Sequence, residues 1–352
     1  MLIRKKLQTY FDSQRLPEQI VLLELLEKFV NTLENETDFY RPTETIEKIG
    51  KKVALPGGLL DFSKIGQLPV VVIPDLHARR NFLLDVLDYE IANPSEKDTE
   101  KSKLTILECL EQKLIYVVCL GDFFHSEARG AERWFRAYKD FKNGNFIGKA
   151  MSEEMIENLN LLLMLSELKY AFNENFHCLK GNHENVTNEY GNGNLPFYKF
   201  ADEGNMFHGF LEEFYSDALI YLWSAFEHSL PICAVFKNVV ISHAEPAVAF
   251  SRSEIINYRK NPSVILGLTW TANGEAEIDS VRATIKNLFG KNKNDVFWLS
   301  GHRPVKGKYE LRQNGALVQF HNPAQENIAF VRVDKKFEAD KDIISVGGDF
   351  CG

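Results

Sequence analysis

Cysteine is scarce and unpatterned in this chain. Only Cys109, Cys119, Cys178, Cys233 and Cys351 occur among 352 residues. Their odd number and scattered spacing exclude a disulfide framework and a paired zinc motif, and most sit in apolar, strand-like surroundings. They read as reduced, buried thiols of a cytoplasmic protein. The N-terminus, MLIRKKLQTYFDSQ, lacks the long apolar run of a secretory signal. The most apolar helical stretch, 161–165, is too short to span a bilayer, so no membrane partner is expected. Internal repeats and low-complexity tracts are absent. So is an excess of basic residues: 41 Lys and Arg stand against 49 Asp and Glu, a net charge of −8. Nucleic acid is therefore not expected as a bulk partner, although a local basic pocket remains open. What remains is an ordinary globular composition, 45% hydrophobic and 26% charged. The length suits about two domains, or one large domain with additions, and a core that needs no disulfides.

Residues 17–33 read PEQIVLLELLEKFVNTL. Ile20, Leu23, Leu26, Phe29 (or Val30) and Leu33 recur there at helical spacing, which predicts one apolar face. Ser13 or a near neighbour is the expected cap. Glycine and proline cluster over 55–66 and mark a boundary. Strong β-runs follow at 69–73 (PVVVI) and 114–120 (LIYVVCL), with a helix expected over 82–91 and a charged stretch around 94–103. A long amphipathic helix is expected over 151–172, and more helix over 204–230. Further β-runs lie at 234–243, 296–302, 316–322 and 327–334. The expected organisation is an N-terminal helical extension over 1–65, a main α/β domain over 66–335 with a helical insert at about 131–172, and a polar tail over 336–352.

The ends of five β-runs share one character. After VVVI come Asp75 and His77. After LIYVVCL come Gly121 and Asp122, then His125. The stretch NFHCLKGNHEN, 175–185, passes from apolar residues straight into Gly181, Asn182, His183 and Glu184. NVVIS is followed by His243, and VFWLS by Gly301 and His302. In open α/β sheets, sites form outside the carboxyl ends of the strands. Carboxylate and imidazole donors without thiolate suit Mn, Fe or Zn. They are too many for one tetrahedral ion with an open position. They suit two metals about 3.5–4 Å apart sharing one carboxylate, which generate a hydroxide near neutral pH and clamp phosphate oxygens.

The order Asp-x-His, Gly-Asp, Gly-Asn-His-Glu, His, Gly-His resembles the signature of the calcineurin-like metallophosphoesterases. LWSAFEHSLPICAVFKNVVISHAEP (222–246), NLFG, GHRPVKGKYE, VQFHNP and NIAFVRVD are similar, in that order, to segments of its serine/threonine phosphoprotein phosphatase branch. The resemblance covers roughly 68–334 and implies a four-layer α/β/β/α sandwich of two mixed sheets. It also implies two divalent ions, Mn, Fe or Zn. Asp75 and His77 would hold the first, Asp122 would bridge both, and Asn182, His243 and His302 would hold the second. His183 would be the general acid, with Glu184 fixing the geometry from outside the metal shell. The implied reaction is hydrolysis of a phosphate ester, a phosphomonoester of a small molecule or a phosphoprotein, by attack of a metal-bridging hydroxide with no covalent intermediate.

Departures from the family pattern bear on the substrate. The second motif of the family reads Gly-Asp-x-x-Asp-Arg-Gly, whereas this chain has GDFFHSE. His125 stands where an Asp would orient the catalytic histidine, as an outer residue of the site or a tolerated substitution. Ser126 stands where an Arg would grip phosphate. Pro74 and Ala78 replace usual glycines, and Pro304 stands where the wider superfamily often has another histidine. Arg282 and Arg303 are the candidate replacements for the missing guanidinium, although Arg282 reads more readily as a solvated helix arginine. His177, His208, His228 and His321 read as structural. The rival readings are a dinucleoside polyphosphate or phosphodiester hydrolase on the same site, an inactive binding module with this fold, and a metal-free α/β protein.

Overall fold

In a computed structural model, residues 2–66, 68–96, 102–187 and 195–347 are described. Two mixed sheets lie face to face between helical layers. The five-stranded sheet runs Ile343–Ser345, Asn327–Val331, Val70–Ile73, Tyr116–Cys119, Phe176–Cys178, and its last three strands are parallel. The six-stranded sheet runs Glu310–Arg312, Leu317–Gln319, Phe297–Ser300, Val239–Ser242, Cys233–Val235, Leu59–Asp61. Within it Val239–Ser242, Phe297–Ser300 and Leu317–Gln319 are parallel.

The layers follow from the two-residue period of a strand, which sends alternate side chains to opposite faces. Val70 and Val72 join Val118, Ile241, Leu299 and Val318 between the sheets. Val71, Ile73, Val117 and Cys119 face the helical layer on the other side. Cys233, Val235, Val240 and Trp298 face a second helical layer that includes Pro262–Thr269 and Ser280–Phe289. A strand buried on both faces reads as a continuous apolar run, and VVVI is one.

The helices differ from their expected forms in instructive ways. The stretch at 151–172 is the helix Lys149–Ala171, and 161–165 are buried without a break. It is enclosed, not amphipathic, because Leu2–Asp12, Gln19–Glu34 and Ala131–Lys142 all pack on it. Gln19–Glu34 buries Leu22, Leu25, Leu26, Phe29, Val30 and Leu33 and leaves Ile20 exposed. Its buried stripe is wider than, and rotated from, the expected one, because Asp217–Ser229 covers a second side. Ser13 does not cap it. Glu18 occupies that position, and Ser13 Oγ instead accepts from the Arg15 N–H. The expected helix at 82–91 is Arg80–Asp88, followed by a short strand, Glu90–Ala92. The one at 204–230 is two helices, Glu203–Phe214 and Asp217–Ser229, separated by Tyr215 and an extended Ser216.

Two segments expected outside the main domain contribute strands to its sheets. Leu59–Asp61, preceded by the hairpin Thr43–Lys48 and Lys51–Pro56, pairs in parallel with Cys233–Val235. So 1–65 is not wholly helical. Ile343–Ser345 pairs with Asn327–Val331, and Phe337 and Ile343 fill the space between the sheets. Apolar burial thus draws in much of what composition alone marks as a tail. Cys109, Cys119, Cys178 and Cys233 are free and buried, and Cys351 lies outside the described residues. Among the described residues no helix is long and apolar enough to cross a membrane.

Candidate metal centre

The carboxyl ends of the parallel strands in both sheets open on one rim, and the polar loops that follow them converge there. Asp75, His77, Asp122, Asn182, His183, His243 and His302 are brought together, all but His302 buried. Asp122 stands between two groups. Its Oδ2 lies 3.7 Å from His77 Nε2 and 3.3 Å from His243 Nε2. Asp75 Oδ2 lies 3.9 Å from His77 Nε2. Asn182 Oδ1 lies 2.9 Å from both His243 Nε2 and His302 Nδ1.

Close backbone packing makes this convergence possible. His77, Asp122, His125 and His302 have φ between 44° and 65°, the left-handed region that costs a side-chain-bearing residue strain. Their loops are held by specific bonds. Glu184 accepts from the N–H groups of Asp122 (2.9 Å), Phe123 (2.8 Å) and Gly181 (2.7 Å), which ties the second loop to the third. Asp122 Oδ1 accepts from the His183 N–H at 2.9 Å, and Asp75 accepts from the His302 N–H at 3.0 Å. A side chain at Gly181 or Gly301 would collide with Asp122 or Asp75, so glycine is a steric requirement there.

The donor set fits metal ions. His77 Nδ1 donates to the His125 carbonyl at 3.0 Å, which turns the Nε2 lone pair toward the carboxylates. Burial opposes ionisation of Asp122, yet His183, His243 and His77 hold its carboxyl well below the usual range. Burial pulls His243 down, but Asp122 and Asp75 more than offset it and carry it up to about 9. Burial, with His243 nearby, pulls His302 down to about 3. The cluster thus gathers carboxylate oxygens and imidazole nitrogens on small spaces, and the proton that Asp122 and Asp75 favour on His243 marks a place that a cation would take instead.

The position of each remaining candidate is plain. His183 Nδ1 donates to the Phe124 carbonyl at 3.2 Å, leaving Nε2 toward the cleft, 3.5 Å from Asp122 Oδ2. Burial draws its pKa well below the ordinary histidine value. His125 does not orient it. Both of its ring nitrogens lack a hydrogen-bond partner, and the ring is caged by Trp134, Phe197 and Phe207. Burial, assisted by His77, lowers its pKa to about 3. The Phe124 carbonyl therefore holds the His183 ring, the task that the family's pattern gives to the Asp that His125 replaces. Ser126 turns inward and donates to Glu154 at 2.7 Å. Arg282 is spent on the carbonyls of Lys293 and Val296 and does not line the cleft. The cleft, about 460 Å³, is lined by Arg303, Lys199, Trp270, Phe197 and Tyr198 beside the polar cluster. Phe197, Trp270, Lys199, Glu127 and His321 escaped the sequence reading. Glu127 is the last residue of GDFFHSE, at the place of a family glycine, and His321, which reads as structural, ends a β-run, so the strand-end rule marks His321 and not the others.

The family model of the calcineurin-like phosphoesterases matches residues 68–332, most of the chain's length. The chain belongs to this family. No curated protein sequence matches it. Among solved structures, a serine/threonine phosphatase from Saccharomyces cerevisiae with similarity to human phosphatase PP5 superposes with a TM-score of 0.55. It is 14% identical, over 93% of this chain and 89% of that one. A cold-active protein-tyrosine phosphatase from a psychrophilic Shewanella gives a TM-score of 0.44 at 13% identity, over 86% and 90%. At these identities the first likeness bears on the fold alone. A calcineurin-like phosphoesterase hydrolyses phosphoric esters with divalent metals, and the Asp and His groups at this rim are the ones placed to hold them.

Proposed function

We propose that the protein is a two-metal phosphomonoesterase resembling the phosphoprotein phosphatases. One observation carries the reading: a single carboxylate, Asp122, lies between the Asp75–His77 group and the Asn182–His243–His302 group, as a shared ligand of two ions must. Asp75, His77 and Asp122 would hold the first ion, and Asp122, Asn182, His243 and His302 the second. The ions, when bound, supply a nucleophilic hydroxide near neutral pH and neutralise charge on the phosphate. The chain's own residues do the rest. His183 presents Nε2 to the cleft, 3.5 Å from the Asp122 carboxylate that favours its protonated form against burial, and as the imidazolium it delivers the Nε2 proton to the departing oxygen, while the Phe124 carbonyl fixes its ring. Glu184 holds the Asp122 and Asn182 loops together. Arg303 and Lys199 supply positive charge to the substrate side of the cleft.

The test is hydrolysis by metal-supplemented protein of an aryl phosphomonoester, an aryl phosphodiester and diadenosine tetraphosphate in parallel. Highest kcat/KM on the monoester is expected. Preference for either other substrate rejects monoester specificity, and no turnover of any of them favours the binding-module reading.

Two substitutions probe the assigned roles. His183→Asn removes the proton donor. A general acid contributes roughly 10²–10⁴-fold, most for poor leaving groups. Hydrolysis of an alkyl phosphate should fall by that factor and that of a nitrophenyl ester far less, with metal content retained. Equal losses on both esters would remove His183 from the acid role. Arg303→Ala should raise KM and lower kcat/KM roughly 10–100-fold, because hydrogen bonds to charged groups contribute about 1.5–3 kcal/mol. Unchanged steady-state kinetics would mean that the phosphate is gripped elsewhere.

A further inference from the structure

Glu127 and His321 have no task in the reaction described above, yet both reach the first group of donors. Glu127 lies on the loop after Tyr116–Cys119, and His321 follows Leu317–Gln319, whose neighbour Phe297–Ser300 leads into His302. Glu127 Oε1 lies 3.6 Å from His77 Nε2. Its other oxygen lies 3.4 Å from His321 Nε2, which is itself 3.9 Å from Asp75 Oδ2. The side chains are 12% and 1% exposed. The nearby buried Arg79 spends its N–H groups on the carbonyls of Leu76, Asp75 and Pro323.

Such spacings have a coordination meaning. An ion about 2.1 Å from each donor separates adjacent donors by roughly 3.0–3.4 Å and opposite donors by roughly 4.2 Å. The four separations around the ring Asp75–His77–Glu127–His321, 3.9, 3.6, 3.4 and 3.9 Å, lie between those limits. The ligand atoms of Asp75, His77 and His321 also fall within 4.8 Å of one another.

We infer that Glu127 and His321 complete the first metal position, giving it five protein donors, Asp75, His77, Asp122, Glu127 and His321, against four at the second. The inference rests on the two-metal reading and assigns the two positions different tasks. Three of the five donors are carboxylates, whereas Asp122 is the sole carboxylate of the second position. The first position therefore holds its ion more tightly and favours hard, higher-charged cations. The second position, with fewer protein donors and with Asn182 and His302 beside Arg303 in the cleft lining, would be the one left to meet the substrate phosphate.

Calorimetric titration of metal-free protein with Mn²⁺ tests this. Native protein should take up two equivalents in a tight and a weaker step. In Glu127→Gln and in His321→Ala the tight step should weaken at least about tenfold, the lower end of what even an outer-shell change costs, while the weaker step persists. Anomalous scattering from crystals of the Mn²⁺-loaded native protein supplies an answer that needs no variant to fold. It should place a Glu127 oxygen and His321 Nε2 at bonding distance from one ion. Two native-like steps in both variants, or water between these side chains and the ion, would overturn the inference and leave the two-metal reading standing. Native protein that binds no metal would overturn both.

Discussion

Asp122→Asn should abolish turnover and weaken both metal positions together. The substitution preserves shape, and the remaining side-chain oxygen can still accept from the His183 N–H. What it removes is the negative charge between His77 and His243, 3.7 and 3.3 Å away. A catalytic metal is worth several kcal/mol of transition-state stabilisation. At about 1.36 kcal/mol per tenfold in rate, losing both ions lowers kcat by roughly 10³-fold or more. A ligand serving one ion, such as His302, should reduce the occupancy of one position only. Elemental analysis and thermal melting with added Mn²⁺ check this without reference to turnover. Native protein should melt higher as metal is added, because the ion binds the folded state, and the variant should not respond. Two equivalents of metal and native kcat/KM in Asp122→Asn would refute the bridging role.

Glu36→Gln should produce the largest loss of stability, about 3–5 kcal/mol, because breaking a buried ion pair leaves its partners uncompensated. Glu36 is enclosed with Arg41 and Lys169, both fully buried. Its carboxylate also lies 3.2 Å from His177 Nδ1. Arg41 donates further to the carbonyls of Gly57 and Ser229, and Lys169 to those of Asn173 and Phe176. This network joins the N-terminal helices to the hairpin region and to the strand that feeds Asn182. Burial would push the Glu36 carboxyl up, but Lys169 and Arg41 reverse that and hold it well below the usual range. The sign of the pH effect follows. A carboxyl whose folded pKa is depressed contributes its stability fully above its unfolded value of about 4.3 and loses it as pH falls toward the folded value. Denaturant unfolding should therefore show a gap between native and variant that is full at pH 7 and narrows below about pH 4. A gap under about 1 kcal/mol, or one that widens in acid, would refute the role.

The same network shows where sequence reading stops. Glu36, Arg41 and Lys169 are ordinary charged residues in helical or loop contexts, and His177 reads as structural. Only the packing of Gln19–Glu34 on Lys149–Ala171 places them in one dry pocket. Residues 151–172 read as an amphipathic helix, yet helices distant in sequence enclose the stretch. Leu59–Asp61 and Ile343–Ser345 were similarly opaque, because a three-residue edge strand has no period long enough to detect.

By itself the sequence determined the family, the layered α/β/β/α fold and the run of Asp, His and Asn residues at the strand ends. The reason is local. A strand buried on both faces must be a continuous apolar run, and the residue after it begins the loop at the sheet's rim, so chemistry written there is readable without coordinates. The tertiary structure alone decided which side chains turn toward that rim. Arg282 and Arg303 are equivalent as letters, but one is consumed by backbone carbonyls and the other lines the cleft. His125 occupies the expected place of a carboxylate, yet aromatic rings enclose it and the Phe124 carbonyl takes its bond to His183. Glu127 and His321 come from loops nearly two hundred residues apart and meet His77 and Asp75 only because the two sheets align their strand ends. Those contacts are set by how elements pack across the interior, a long-range property that no spacing along the chain encodes.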